Sequence, residues 1–362
     1  MKILVLALSG IGDALLFTPA LKLMRQALPH AQIDALVMFA GVKEMYERNP
    51  NFDSVFYFDF MREHITASFR FIIGLRKKYD ASISVYPSNR KEYNILNFLV
   101  GAKTRAGVQY LRLDRRNFGF LNNVRIRESD SLHNVQENIK LCEKLLGTEF
   151  GGEPELDFFL RDGDREFEKA FLRDRGIREN DVVIGFHPGG STLKNHENKR
   201  WDARKFSELG SILVRELNAK VLVFGGPDED SLKLSVVGAI DSAAALKVDT
   251  PNLALTAAVM RCCSVFVSND SSLMHVASAL KLNVVLICGP MNPQYTYPWK
   301  TEHRIVSLHL ECSPCFFYSP HPLVCRRTDV KFKCLRELEV GLVHQAVSEL
   351  LEKSRAAKTL VE

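Results

Sequence analysis

Short apolar segments alternate with amphipathic segments along most of this 362-residue chain. Four runs in each half have the length and the apolar, β-branched character of buried strands. The predicted strands are 3–8, 32–38, 54–59, 81–87, 182–188, 220–226, 264–270 and 283–290. The predicted helices lie near 14–28, 41–48, 202–217, 229–240, 253–262 and 272–280. Buried strands that alternate with helices indicate parallel sheets in a doubly wound α/β fold.

The length of the chain predicts two domains, because single cores rarely grow beyond about 250–300 residues. A loop at 147–154 and a highly charged segment at 163–181 mark the break. We therefore predict a Rossmann-like domain over 1–162, a linker over 163–180, a second Rossmann-like domain over 181–335 and a C-terminal helix over 336–362. Two such domains would enclose a cleft lined by the carboxyl ends of their strands.

The composition excludes several classes of protein. A hydrophobic content of 46% and a charged content of 25% are typical of a folded globular chain. The net charge of +5 is compatible with an anionic ligand or a membrane surface and is too small to indicate nucleic-acid binding. No segment resembles a membrane span, and the apolar run at 3–8 is too short for a signal peptide, so we expect a cytoplasmic protein.

The first predicted strand runs into the turn Ser9-Gly10-Ile11-Gly12 and then Asp13. The turn is an incomplete dinucleotide fingerprint, because the third glycine position is Leu15, and no Walker A loop is present. A carboxylate would also repel a phosphate at this place. Asp13 is therefore either a helix N-cap or a candidate catalytic base.

Two segments of the second half fit phosphate chemistry better. In 187–201, a strand ends at a glycine turn that is followed by basic residues, which suits a diphosphate; the alternative is a solvated basic loop. In 267–280, small hydroxyl residues open a helix, where phosphates bind; the alternative is simple capping. Between them, Glu229 is a candidate partner for ribose hydroxyls. The residues predicted to bind the diphosphate and its attached groups are Gly189, Gly190, Ser191, Lys199, Glu229, Asp270, Ser271, Ser272 and His275.

Residues 101–127 carry seven basic side chains and one acidic side chain. An anionic ligand at a membrane surface would explain this patch, and a solvated face is the alternative. The predicted contacts of that ligand are Gly12, Arg112, Arg115 and Arg116.

Four of the eight cysteines fall close together, at Cys312, Cys315, Cys325 and Cys334. A CxxC pair followed by two further cysteines suits a structural zinc or iron site. Free reduced thiols are the alternative, whereas disulfides are not expected in a reducing cytoplasm.

The chain resembles glycosyltransferase family 9, the ADP-heptose:lipopolysaccharide heptosyltransferases, in four segments that occur in the family's order. The segments are LSGIGDALLFTPAL, HPGG…KRW, FGGPDE and NDSSLMHVASAL. The resemblance implies a GT-B fold with an N-terminal acceptor domain and a C-terminal nucleotide-sugar domain facing each other across a cleft. It also implies inverting transfer without a catalytic metal or other cofactor.

By this resemblance, Asp13 is the general base, Lys199 contacts the donor diphosphate and Glu229 contacts the ribose. The segment from Asp270 to His275 would surround the diphosphate and the donor sugar. Gly189 and Gly190 stand where some members have threonines, so the identity of the donor stays open. The alternatives are a transferase that uses another nucleotide-sugar and a non-catalytic nucleotide- or sugar-binding protein of the same fold. The expected partners are ADP-heptose, an anionic glycolipid or saccharide and the inner face of the cytoplasmic membrane, but no nucleic acid.

Overall fold

A computed structural model of the protein describes residues 1–318 and 320–359. The chain forms two compact units. The first comprises Met1–Phe159 together with Tyr318 and Pro320, and the second comprises Leu160–Phe317 and the chain from His321 onward. No helix among the described residues combines the length and the apolar composition that a membrane span requires.

The first unit is a parallel six-stranded sheet with helices. Its strands are β1 (Lys2–Ala7), β2 (Gln32–Val37), β3 (Ser54–Tyr57), β4 (Ala81–Ser84), β5 (Thr104–Gln109) and β6 (Val124–Arg127). Its helices are α1 (Ile11–Leu16), α2 (Thr18–Ala27), α3 (Ala40–Tyr46), α4 (Ile65–Leu75), α5 (Lys91–Val100) and α6 (Asn134–Leu146). The strand order is β3-β2-β1-β4-β5-β6.

The second unit repeats this architecture. Its strands are β7 (Val183–His187), β8 (Lys220–Val223), β9 (Ala245–Lys247), β10 (Val265–Asn269), β11 (Asn283–Ile287) and β12 (His303–Val306). Its helices are α7 (Asp162–Asp174), α8 (Ala203–Leu217), α9 (Asp230–Ile240), α10 (Leu253–Met260), α11 (Ser272–Ala279), α12 (Pro293–Thr296), α13 (Lys333–Arg336) and α14 (Val340–Thr359). The order β12-β11-β10-β7-β8-β9 is the same topology read from the other edge. The doubly wound prediction is confirmed.

Buried asparagines hold the first unit together on one side of its sheet. Asn97 donates to Asn122 at 2.8 Å, and Asn122 donates to Asn94 at 2.8 Å. Asn94 donates to the carbonyl of Asn117 at 2.7 Å, and Asn117 donates to the side chain of Asn89 at 2.7 Å. Because each amide finds a partner, these buried polar groups fix the loop after β4 instead of destabilising the core.

A short segment from late in the sequence completes the first unit. The Tyr318 hydroxyl accepts a hydrogen bond from Asn134 at 2.8 Å, and its carbonyl accepts one from Asn89 at 3.0 Å. Its ring packs edge-on against the ring of Tyr86, with centroids 5.5 Å apart. The first unit is therefore not continuous in sequence.

The eight predicted strands are all present, but four others were missed. These are β5, β6, β9 and β12. The segment 101–127, interpreted as a basic face, contains two of them. The predicted helix at 14–28 is two helices, because Pro19 lacks an N–H group and its ring would clash with the carbonyl of Leu15 in a continuous helix.

The region of the predicted linker is largely helical. The first unit ends at Phe159, and α7 packs against α10 of the second unit. At the other end, the predicted C-terminal helix corresponds to α14, which begins at Val340, and residues 360–362 lie outside the described part of the chain.

We expect that Gly185→Ala destabilises the protein by about 1–3 kcal/mol, because its central strand has no room for a side chain. A Cβ at Gly185 would lie 2.5 Å from Cδ2 of Phe266 and 2.8 Å from Sγ of Cys263. Urea unfolding measures the change.

The matched control is Gly238→Ala in α9, where a Cβ would meet no atom within 4 Å. It should raise the free energy of unfolding by about 0.5–1 kcal/mol, since alanine favours a helix interior. Equal effects of the two substitutions would contradict this account of Gly185.

Candidate active site

In each sheet the first and fourth strands lie side by side, and the chain winds outward from them in opposite directions. Polar residues follow these strands in both units. In the first unit these are β1 and β4, and in the second they are β7 and β10. Ligands of doubly wound sheets bind at this position, beyond the carboxyl ends of the strands. Asp13 follows β1. In the second unit the turn of Gly189 and Gly190 follows β7, and Asp270 follows β10. Each unit thus has a candidate site where its topology favours one.

Asp13 lies in the first turn of α1 and is half-buried. The N-cap residue of that helix is Gly10, whose backbone is extended (φ −68°, ψ 176°), so Asp13 is not the N-cap. Burial raises the pKa of three tyrosines, and the negative charge of Asp13 adds to the increase. They are Tyr46, Tyr93 and Tyr110. Asp13 is therefore a carboxylate beyond the carboxyl end of the central strand β1, beside the tyrosine-rich end of the unit.

The loop after β4 is hydrogen-bonded to the turn at residues 9–12. Ser9 donates to the carbonyl of Pro87 at 2.6 Å, and the Tyr110 hydroxyl contacts Ser88. Gly12 is half-buried next to Asp13. These bonds hold the turn around Asp13 in one conformation.

The predicted basic acceptor contacts lie in the loop after β5 and do not act alike. Arg112 forms two hydrogen bonds of 3.1 Å with Asp130. Arg115 lines a cavity of about 490 Å³, and Arg116 is exposed. The other residues around this cavity are Gln109, Asp114, Phe120 and Arg125. Arg112 has a protein partner, whereas Arg115 borders this open cavity.

In the second unit the structure brings Lys199 and Asp270 together. Lys199 Nζ lies 2.7 Å from one oxygen of Asp270, and Thr296 donates to the other at 3.1 Å. Burial alone would raise the pKa of the Asp270 carboxyl, but Lys199 outweighs this effect and lowers it. The pair therefore places a fixed ammonium group at the carboxyl end of β10.

Glu229 is held by the glycine turn. Its carboxylate accepts hydrogen bonds from the N–H groups of Gly190 at 2.6 Å and Gly226 at 2.8 Å, and His187 lies 3.2 Å away. Burial opposes ionisation, but these contacts lower the pKa of Glu229 to about 2. A Cβ at Gly189 would overlap the carboxylate of Glu229. Gly189 therefore has no room for a side chain while Glu229 keeps these hydrogen bonds.

Three residues that position these groups were not predicted. Asn269 accepts from the N–H of Trp201 at 2.9 Å and donates to the carbonyl of Gly189 at 3.1 Å. Thr296 holds Asp270, and His187 contacts Glu229. His187 and Asn269 end β7 and β10, so a polar residue at a strand end was the available signal.

The remaining predicted donor residues differ in exposure. Ser271 is the N-cap residue of α11 and Ser272 its first residue, whereas Ser191 is exposed and accepts from the N–H of Leu193 at 3.2 Å. His275 is buried, and burial lowers its pKa to about 4, so it is neutral at pH 7. Within the described residues its Nδ1 atom has no hydrogen-bond partner. A ligand group could supply one.

The four clustered cysteines lie close enough for Cys312, Cys315 and Cys325 to influence the pKa of Cys334. Burial raises the pKa of Cys334 to about 11, and Cys315, Cys325 and Cys312 add to the increase. Yet no group of three His, Cys, Asp or Glu side chains in residues 1–318 and 320–359 is arranged to hold a metal ion.

Comparison with known proteins gives relatives whose described functions agree with one another. The sequence profile described as "Glycosyltransferase family 9 (heptosyltransferase)" matches residues 69–321. Lipopolysaccharide heptosyltransferase 2 of Escherichia coli (strain K12) is 25% identical over 323 residues, which cover 85% of this chain and 88% of that protein.

Two solved structures share the fold. A glycosyl transferase family 9 protein from Veillonella parvula DSM 2008 has a TM-score of 0.75 at 22% identity, with 97% of each chain covered. The E. coli ADP-heptose lps heptosyltransferase II has a TM-score of 0.73 at 20% identity, covering 98% of this chain and 100% of the other. The likeness confirms the predicted GT-B fold class. Since the family profile spans well over half of the sequence, this chain belongs to glycosyltransferase family 9 and is a glycosyltransferase.

Proposed function

We propose that this enzyme transfers heptose from ADP-heptose to a saccharide acceptor of the lipopolysaccharide core, with inversion at the anomeric carbon. The names of the E. coli relatives give the heptose, the nucleotide and the acceptor class. The observation that carries the proposal is the convergence of Lys199, Asp270 and the glycine turn at the switch point of the second sheet.

The donor is assigned to the second unit because its candidate site suits a diphosphate. Lys199 supplies a partly buried positive charge, and the first N–H groups of α11 supply donors beside it. The unpartnered Nδ1 atom of His275 offers a further polar contact to the donor. Glu229 shapes the turn beneath this site. Its two oxygens already accept hydrogen bonds from protein groups, so only their remaining lone pairs can accept one from a ribose hydroxyl.

The acceptor is assigned to the first unit, where Asp13 is the base. Inverting transfer requires a group that removes the proton of the acceptor hydroxyl while that oxygen attacks the anomeric carbon. The bond from that carbon to the diphosphate breaks, and its electron pair stays on the phosphate oxygen. Lys199 and the start of α11 stabilise this negative charge.

We expect that Asp13→Asn lowers kcat by about 10²–10⁴-fold, because the amide cannot accept the hydroxyl proton. The dissociation constant for ADP should stay within about twofold, since the nucleotide is assigned to the other unit. Single-turnover transfer assays and calorimetry measure the two quantities.

Glu47→Gln is the matched control, because it removes an exposed carboxylate at the end of α3 that pairs with Lys43. Its kcat should equal that of the unaltered enzyme. Substantial turnover by correctly folded Asp13→Asn protein would rule out Asp13 as the base.

We further propose that the first unit contacts the inner face of the cytoplasmic membrane. Residues 61–127 contain fourteen Lys and Arg but four Asp and Glu, whereas the whole chain contains 48 and 43. The rest of the chain therefore has more acidic than basic side chains. Such a concentration of positive charge attracts anionic lipid headgroups.

Apolar side chains lie exposed within this basic region. Ile65, Phe69 and Ile73 recur every fourth residue on α4, with Ile65 78% and Phe69 55% exposed. The neighbouring α5 exposes Ile95 and Phe98 and packs against α4. The exposed basic residues on and near these helices are Arg70, Arg76, Lys77, Lys78, Lys91 and Lys103. An apolar stripe flanked by cations suits insertion at the headgroup level.

We expect that the double substitution Ile65→Ser and Phe69→Ser weakens binding to vesicles of phosphatidylcholine with about 30% phosphatidylglycerol by tenfold or more. Each buried apolar side chain contributes about 1.5–3 kcal/mol to such binding. Vesicle flotation measures the bound fraction.

Leu234→Ser, which alters an exposed leucine on α9 of the second unit, should leave flotation unchanged. Transfer to a delipidated, soluble acceptor should be the same for all three proteins. Equal flotation of the double variant and the unaltered enzyme would refute this membrane surface.

We also propose that the four cysteines bind a structural zinc or iron ion, with thiolates as the soft ligands. Elemental analysis of protein purified without chelators should give about one metal ion per chain. Cys312→Ser with Cys315→Ser should remove it, whereas Cys262→Ser should not. Metal-free protein with all eight thiols reactive under denaturation would support the alternative of free thiols.

A further inference from the structure

The ammonium group of Lys199 has neighbours from three other parts of the second unit. Its Nζ atom lies 2.7 Å from Asp270, which follows β10, and 3.7 Å from the sulfur of Met291, which follows β11. It also lies over the face of the Phe316 ring, 5.6 Å from the ring centroid. The Lys199 side chain is 12% exposed. A carboxylate, a thioether and an aromatic ring therefore set the position of this charge.

Phe316 is itself fixed by its surroundings. It is 7% exposed, and its N–H group and that of Cys315 both donate to the carbonyl of Pro290 at 3.0 Å. The ring of His196 meets the Phe316 ring edge-on, with centroids 5.2 Å apart. Burial lowers the pKa of His196 to about 4, so this imidazole is neutral at pH 7 and does not compete with Lys199 as a cation.

The part of the chain that carries the clustered cysteines also holds the loop of Lys199. The N–H group of Leu323 donates to the carbonyl of Lys194 at 2.9 Å. Lys194 and Asn195 have left-handed backbone conformations, with φ of 57° and 59°. Such conformations are unfavourable for residues with a Cβ, so the loop gains from a hydrogen bond that comes from outside it. The cysteine-bearing part thus contacts this loop through both Leu323 and Phe316.

We propose that Phe316 is a positioning residue for the donor diphosphate, because its ring holds the Lys199 ammonium where that group meets the phosphates; this rests on the proposed assignment of the diphosphate to the second unit. A cation is attracted to the face of an aromatic ring, and the attraction increases where water is excluded. The ring carries no net charge. Unlike a second carboxylate, it holds Lys199 without cancelling the positive charge that a diphosphate needs.

The hydrogen bonds of Lys199 leave room for a ligand. An ammonium group has three N–H donors. Asp270 and Met291 accept from two of them, and Lys199 has no further acceptor within residues 1–318 and 320–359. One donor therefore remains for a phosphate oxygen. Because the four-carbon stem of lysine is flexible, removal of the ring would let the ammonium leave this position.

Calorimetric titration of the full-length enzyme with ADP tests this role. Phe316→Leu, which keeps an apolar side chain but lacks an aromatic face, should bind ADP about tenfold more weakly. Phe316→Tyr, which keeps the face, should bind it within about twofold of the unaltered enzyme. Phe316→Met is a second variant without the ring and should behave like Phe316→Leu. Circular dichroism checks that each variant is folded.

The matched control is Phe171→Leu on α7. The guanidinium group of Arg175 lies over the Phe171 ring at 5.7 Å, so this substitution removes a contact of the same kind and nearly the same length. Arg175 is not assigned to the donor. The affinity of Phe171→Leu for ADP should therefore equal that of the unaltered enzyme.

A double variant separates positioning from a merely structural role. Lys199→Gln removes the charge on which Phe316 acts and should weaken ADP binding by tenfold or more. If Phe316 acts through Lys199, adding Phe316→Leu to Lys199→Gln should change the affinity by less than about twofold. A structural role would instead give losses that add.

Unchanged ADP affinity in Phe316→Leu and Phe316→Met would overturn the inference while the loss in Lys199→Gln upholds the diphosphate assignment; additive losses in the double variant would have the same meaning. Inorganic pyrophosphate is titrated in parallel. If pyrophosphate follows the expected pattern but ADP binds no better, Phe316 keeps its role and the nucleotide assignment fails. If Lys199→Gln binds both ligands like the unaltered enzyme, or if neither ligand binds, the diphosphate assignment and the inference both fail.

Discussion

The constraint on which the structure depends is the placement of the first and fourth strands side by side in each parallel sheet. β1 lies next to β4 and β7 next to β10, so the loops that leave these strands part and open a space at their carboxyl ends. The strands themselves are buried and largely apolar, so polar chemistry is confined to their last residues and to the loops that follow. The same topology therefore yields one candidate site in each unit, and the two differ in their strand ends and loops.

Electrostatic pairing gives those loops their shape in the second unit. Glu229 joins the turn after β7 to its own turn through the N–H groups of Gly190 and Gly226, and Asp270 holds Lys199. Each carboxylate is partly buried, so removal of one partner would leave a charge with less compensation in a poorly solvated place. Gly189 has no room for a side chain in this arrangement, because the carboxylate of Glu229 occupies the space that a Cβ would need.

The sequence was informative where burial is complete on both faces of the sheet. Continuous apolar runs marked the central strands, but β6, β9 and β12 lie at sheet edges, and β5 lies beside one. Strands near an edge are partly solvated and carry arginine and lysine, so their pattern resembled a solvated face. The break between α1 and α2 could have been predicted from Pro19.

Motif order also led to Asp13, Lys199 and Asp270, whose roles stay proposals. The relation of Glu229 to Gly190 could not be predicted, because it joins residues 39 positions apart through a backbone N–H group that leaves no mark on composition. The contact of His187 with Ser271 spans 84 positions and is equally invisible in a single sequence. Tertiary hydrogen bonds of this kind are set by how the loops pack.

The contribution of Tyr318 to the first unit has a consequence for synthesis on the ribosome. Residues 1–159 emerge first, but Tyr86 and Asn134 meet their partner only after most of the second unit has been made. At ordinary rates of translation this interval is roughly 8–30 s. The nascent first unit must therefore persist for that time with one side of its tyrosine cluster uncovered, and it reaches its final form only after residue 320 has emerged.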